Sequence, residues 1–209
     1  MDRWDTIPWK RIQRKVFKLQ KRIYRASSRG DVRTVRKLQR LLMKSQSAKL
    51  LAVRKVTQDN QGKKTAGVDG VKSLSETQRL ILSNNLTLGQ KTKPVRRVWI
   101  PKPGTEEKRP LGIPTLYDRA LQSLVQLALE PEWEAHFEPN SYGFRPGRSS
   151  QDTIEAIFKA IGQKAKYVLD ADIAKCFDRI NHSALLQKIH TSPSLKKPTE
   201  EMVESGCNG

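Results

Sequence analysis

The stretch Tyr167–His182 reads YVLDADIAKCFDRINH. An apolar run ends on Asp170 and Asp172, and Asp178 follows six residues after the second of them. The pattern predicts a strand over Tyr167–Ile173. Alternation then puts Val168, Asp170 and Asp172 on one side and Leu169, Ala171 and Ile173 on the other. Two carboxylates on one strand face stand about 7 Å apart. Carboxylate oxygens are hard ligands of the kind Mg²⁺ takes, with phosphates and waters completing its shell. An acid at a strand end also serves as a turn former or helix cap. Taken alone, the stretch leaves both readings open for Asp172, and Asp178 with Asn181 could be a local cap.

The surrounding charge bears on that choice. The chain has 209 residues, with 40 Lys and Arg against 21 Asp and Glu, a net charge of +19. The isoelectric point is about 10.2. So strong an imbalance repels itself in a compact state and is matched by a polyanion, most commonly nucleic acid. Cys176 and Cys207 stand far apart, which is neither a disulfide framework nor a zinc pattern. No run approaches the ~20 apolar residues that span a bilayer. The first residues lack a secretory apolar region. A cytoplasmic protein without a membrane partner is the expectation.

Residues 1–60 hold eighteen Lys and Arg against four Asp and Glu. Ile12, Val16, Leu19 and Ile23 recur at helical spacing, with Lys10, Arg11, Arg14, Lys15, Lys18, Lys21 and Arg22 around them. Gly30-Asp31 breaks the pattern. A second helix is expected from Asp31 as N-cap, with Val32, Val35, Leu38 and Leu42 inward, running on through Leu50, Leu51 and Val53. With few acids for i,i+4 pairing, the basic exterior reads as a phosphate-contacting surface.

Residues 57–75 read as a loop, and Ser75–Leu88 as a short amphipathic helix. Val95–Pro114 suggests a hairpin turning at Lys102-Pro103-Gly104. Leu116–Leu129 is an expected helix, with Leu121, Leu124, Val125 and Ala128 on one face. EPNSYGFRPGRSS (138–150) is an arginine, glycine and aromatic loop. Ser149 and Asp152 form a capping-box start to a helix whose apolar face is Ile154, Ile157, Phe158 and Ile161. A last helix is expected over Ser183–Ile189. From Pro193 the sequence is polar.

TAGVDG (65–70), RRVWIPKP (96–103), KRPLGIPTLYDRALQ (108–122), SYGFRPGRSS (141–150) and DADIAKCFDRINH (170–182) occur in that order. Together they resemble the N-terminal half of group II intron-encoded reverse transcriptases, or maturases, over roughly residues 5–195. The implied class is α+β: a mostly helical extension, then polymerase fingers and the start of the palm with a small antiparallel sheet. The implied division is a basic helical extension at 1–60, fingers at 61–165, the start of the palm at 166–190 and a divergent, disordered tail at 191–209.

The resemblance also implies roles. Asp172 matches the first metal-binding Asp of the palm, with the carbonyl of Ile173 beside it and Mg²⁺ as the ion. Phe177 matches the aromatic gate under the incoming sugar; a core Phe is the other reading. Lys102 and Arg109 match the cations that grip the nucleotide triphosphate. Arg145, Arg148 and Gly143 fall in the segment that tracks the template, where Tyr142 and Phe144 either stack on bases or pack. Lys15, Lys18 and Arg22 lie in the RNA-binding extension. The implied partners are intron and template RNA and, in the intact family, dNTP; splicing and mobility go with them. The family's later Tyr-x-Asp-Asp turn has no counterpart, for no Asp-Asp pair occurs in the 209 residues. The expectation is a truncated chain, inactive alone as a polymerase. The alternatives are a non-catalytic RNA-binding module or a non-functional remnant.

Overall fold

The computed structural model describes residues 3–162, 166–174, 179–189, 195 and 200. The basic N-terminal sequence folds as three helices, α1 (Trp9–Ser28), α2 (Val32–Lys44) and α3 (Gln46–Arg54), the last continuing into a π turn at Lys55–Asp59. Ile12, Val16 and Ile23 of α1 are buried and Leu19 is half-buried, as the spacing requires. Asp31 caps α2, its carboxylate accepting the Thr34 N–H at 3.0 Å. Val35, Leu38 and Leu42 point inward. Val32 does not: it begins the helix at the edge of the stripe and is exposed. The expected continuation of α2 fails at Ser45, whose extended backbone (ψ 124°) ends one helix and starts the next.

Helix α4 (Glu76–Asn85) starts from a capping box between Ser75 and Gln78. Strands β1 (Arg96–Pro101) and β2 (Lys108–Ile113) form the expected hairpin, antiparallel, with Arg96 opposite Ile113 and Ile100 opposite Arg109. It turns through Gly104 at φ +74°. Helix α5 (Leu116–Glu134) is the hub. It contacts α1, α2 and α3 and buries Leu121, Leu124, Val125 and Ala128 against their apolar stripes. The core thus draws on residues from both sides of position 60. Leu195, within the stretch expected to be a disordered tail, is fully buried in this same apolar cluster.

Helix α5 runs past Leu129 and through Pro131. A proline lacks the N–H that would bond the carbonyl four residues back. That carbonyl, on Leu127, instead accepts the Gln20 Nε2 donor of α1 at 3.1 Å. Gln39 Nε2 donates to Ala128 O at 3.3 Å and to Glu132 Oε2 at 2.5 Å, and Ser27 Oγ donates to Glu132 O at 3.0 Å. Polar side chains of α1 and α2 therefore supply donors around the proline.

Helices α6 (Ser150–Ile161) and α7 (His182–Ile189) stand outside this core, with no buried residue in either. Both are capped locally: Asp152 closes a box with Ser149, and Asn181 Oδ1 accepts the Ala184 N–H at 2.9 Å. The apolar face of α6 forms as expected but is uncovered, Phe158 being 72% exposed. The strand expected over Tyr167–Ile173 is absent. Residues 166–173 carry no regular structure, and Val168, Leu169 and Ile173 are all exposed. A strand persists only in a ladder, and the only sheet among the described residues is the β1–β2 pair. The described chain is α+β, mostly helical with one two-stranded antiparallel sheet.

Candidate nucleic-acid interface

Helix α1 has no acidic residue, and its Lys and Arg side chains dominate the surface its apolar stripe leaves free. Lys15, Lys18 and Arg22 recur at three and four, so one face of α1 presents all of them, and all are exposed. Phe17 and Tyr24 share this outer surface, 58% and 43% exposed, with Lys21 Nζ 5.5 Å from the Phe17 ring centroid. Sequence reading missed these rings. Their spacing of seven, out of phase with Ile12, Val16 and Ile23, was the available signal.

The hairpin brings Lys102 and Arg109 onto one small basic element. Lys102 Nζ pairs with Glu107 Oε2 at 2.6 Å across the turn. Both side chains are exposed, so this ion pair exchanges readily for a stronger anion. Arg109 is exposed on β2 opposite Ile100.

In the 141–150 loop the two arginines part company. Arg148 is exposed, its guanidinium 5.2 Å from the Tyr142 ring centroid. Arg145 is only 9% exposed. Its guanidinium meets both carboxylate oxygens of Glu134, at 2.6 and 3.0 Å, and donates to the carbonyls of Glu138 and Ser141 at 2.6 and 2.7 Å. The bidentate bonds hold the Glu134 carboxyl below its ordinary range and push Arg145 up. Where the sequence suggested a phosphate contact, the structure turns this side chain inward, and it fixes the loop on the end of α5. The loop then presents Phe144 with φ +58° and its ring in the open. Around Gly143 nothing lies where a Cβ would be, so its backbone is open to an approaching strand.

Other residues earn roles that pattern alone did not disclose. In TAGVDG, Gly67 lies against the Pro114–Thr115 backbone, and a Cβ there would come within 2.8 Å of Thr115. Arg119 of α5 donates to the carbonyls of Gly62 and Thr65 at 2.9 and 2.6 Å. Burial lowers its pKa, and the nearby Asp69 opposes that shift. The motif is thus a clasp between the loop and the start of α5.

Asp172 is exposed, and its Oδ1 accepts the Ile173 N–H at 2.8 Å. No hydrogen bond or ion pair among the described residues joins it to Lys102 or Arg109. Phe177 lies outside the described residues. No group of three His, Cys, Asp or Glu among the described residues could hold a metal ion. Asp172 and the Ile173 carbonyl are oxygen donors of the kind Mg²⁺ takes, enough for part of a shell and not for a closed site. No helix among the described residues is long and apolar enough to cross a membrane.

Comparison with known proteins places this geometry. Residues 4–86 match the N-terminal domain of reverse transcriptase, and residues 100–205 match reverse transcriptase (RNA-dependent DNA polymerase). Protein YkfC of Escherichia coli (strain K12) is 35% identical over 164 residues, covering 73% of this chain and 43% of that protein. Maturase-like protein 1 of Euglena gracilis is 31% identical over 216 residues, 96% of this chain and 45% of the relative. Group II intron-encoded protein LtrA of Lactococcus lactis subsp. cremoris is 37% identical over 134 residues, 63% of this chain and 22% of the relative. The chain spans less than half the length of these relatives. The reverse transcriptase family implies a divalent metal and RNA binding. From its ordered motifs and these matches, the chain belongs to the group II intron-encoded reverse transcriptase and maturase family.

Proposed function

We propose that this chain binds RNA through the outer face of α1, the basic hairpin and the 141–150 loop, as the RNA-holding part of a group II intron reverse transcriptase. The observation that carries the reading is α1: a helix whose buried stripe faces α2, α3 and α5 and whose exposed charges are all cationic. Lys15, Lys18 and Arg22 neutralise phosphates there, and Arg148 and the open backbone at Gly143 approach the template. Arg145 contributes by holding the loop.

In the same reading, Asp172 and the Ile173 carbonyl supply ligands to Mg²⁺, which would neutralise phosphate charge when bound. Lys102 and Arg109 hold the dNTP triphosphate, and Phe177 lies under its sugar. One candidate metal carboxylate and no Asp-Asp pair leave the chain, assayed alone, without the two-metal geometry of nucleotidyl transfer. The test is a salt titration of group II intron RNA binding. Steep weakening with salt supports the proposal. Absence of binding at ~50 mM salt overturns it.

A further inference from the structure

We infer that the groove between α1 and α5 is a site for unpaired RNA, with Phe17 and Tyr24 as nucleobase-stacking residues; this rests on the RNA-binding reading above. Two cavities line that groove. One, of about 490 Å³, lies between Lys10, Arg14 and Phe17 of α1 and Leu51 and Leu127. The other, of about 350 Å³, lies between Phe17, Tyr24, Glu130 and Pro146. Phe17 and Gln20 line both, so the Phe17 ring is a ridge within one continuous trough. Both volumes fall in the range of ~300–1,000 Å³ typical of ligand clefts.

The charge of the walls names the occupant. Every charged side chain on α1 is cationic, so the rim takes an anion. The floor is apolar, with Leu127 and Pro131, and carries the Glu130 carboxylate. Phosphates therefore sit at the rim by Lys10, Arg14 and Lys21, and bases turn inward, where Glu130 accepts from exocyclic amino groups. Glu134, the other acid, is already paired with Arg145. Seven helical residues separate the rings by about 10.5 Å, roughly three nucleotide rises of a stacked strand. A ring stacks only on a base whose face is free, which duplex RNA withholds. At its far end the trough reaches Pro146, in the loop that holds Arg148, so one strand can run from α1 to that loop.

The test uses the full chain and an unpaired oligoribonucleotide of ~12 nucleotides bearing 2-aminopurine, with the same strand annealed to its complement as control. Wild type is expected to quench the 2-aminopurine and to prefer the unpaired strand. Phe17→Ala and Tyr24→Ala should each weaken unpaired binding about 5- to 150-fold and leave the salt slope unchanged. Phe17→Leu keeps an apolar side chain but loses the π face, and should behave like alanine; Phe17→Trp should restore affinity and quenching. Equal losses on single strand and duplex, or unchanged affinity and quenching in the variants, overturn the inference. If wild type binds no RNA, the proposed function falls too; if it binds and only the aromatic variants are silent, that function stands.

Discussion

Gly67 and Gly143 show how one residue type serves two purposes. Gly67 abuts the Pro114–Thr115 backbone, which cannot yield as a flexible side chain can. Gly67→Ala should cost about 1–3 kcal/mol, read as a lower urea midpoint. Gly143→Ala meets open space and should leave that midpoint unchanged, so a loss of RNA affinity there would report on the ligand. The Arg145–Glu134 pair gives a pH test. Its bonds depress the folded-state pKa of Glu134, so their contribution is present above the ordinary carboxylate range and is lost as pH falls through the depressed value. Arg145→Gln should therefore lower the melting temperature at pH 7, by a margin that narrows as pH falls through the depressed Glu134 value, leaving only the loss of its bonds to the Glu138 and Ser141 carbonyls. Asp31 and Ser149 were legible as caps because cap and partner lie three residues apart. Arg145 was not, because an arginine in a glycine-rich loop looks the same whether it faces phosphate or a carboxylate eleven residues back.

At the scale of elements, the passage of α5 through Pro131 makes a coupled prediction. Gln20→Leu leaves the Leu127 carbonyl without a donor and should cost about 1–3 kcal/mol. Pro131→Ala restores the missing N–H, so in that background the cost of Gln20→Leu should largely vanish. A double-mutant cycle by urea denaturation measures this, and strict additivity would refute it. The apolar face read from the sequence ended α5 at Leu129, two residues short of Pro131; the donor that compensates for the proline is 107 positions away. The expected strand at 167–173 fails for a related reason. Its alternation is real, but no second strand among the described residues bonds to it.

At the scale of the molecule, one helical core carries a basic exterior, while α6 and residues 166–173 leave apolar side chains in solvent. Amides of α1, α2, α3 and α5 should exchange slowly with deuterium, and those of 166–173 nearly at the free-chain rate. Equal protection by mass spectrometry would contradict this. Changing Lys15, Lys18 and Arg22 together to Gln should reduce the log–log salt slope of RNA binding by roughly 2, with little change in melting temperature because all are exposed.

The sequence alone determined what is local or cumulative: helical stripes, caps, the hairpin turn, the net charge and the ordered motifs of the family. Periodicity and capping act within a few residues, and charge merely sums, so neither needs the fold. Only the tertiary structure decided that α5 continues past its proline, that Arg145 points inward, that Gly67 is a close backbone contact and that 167–173 has no ladder among the described residues. Each of those turns on which distant group arrives as a partner. For a buried donor or an unpaired strand the partner decides the energy, and no window of sequence contains it.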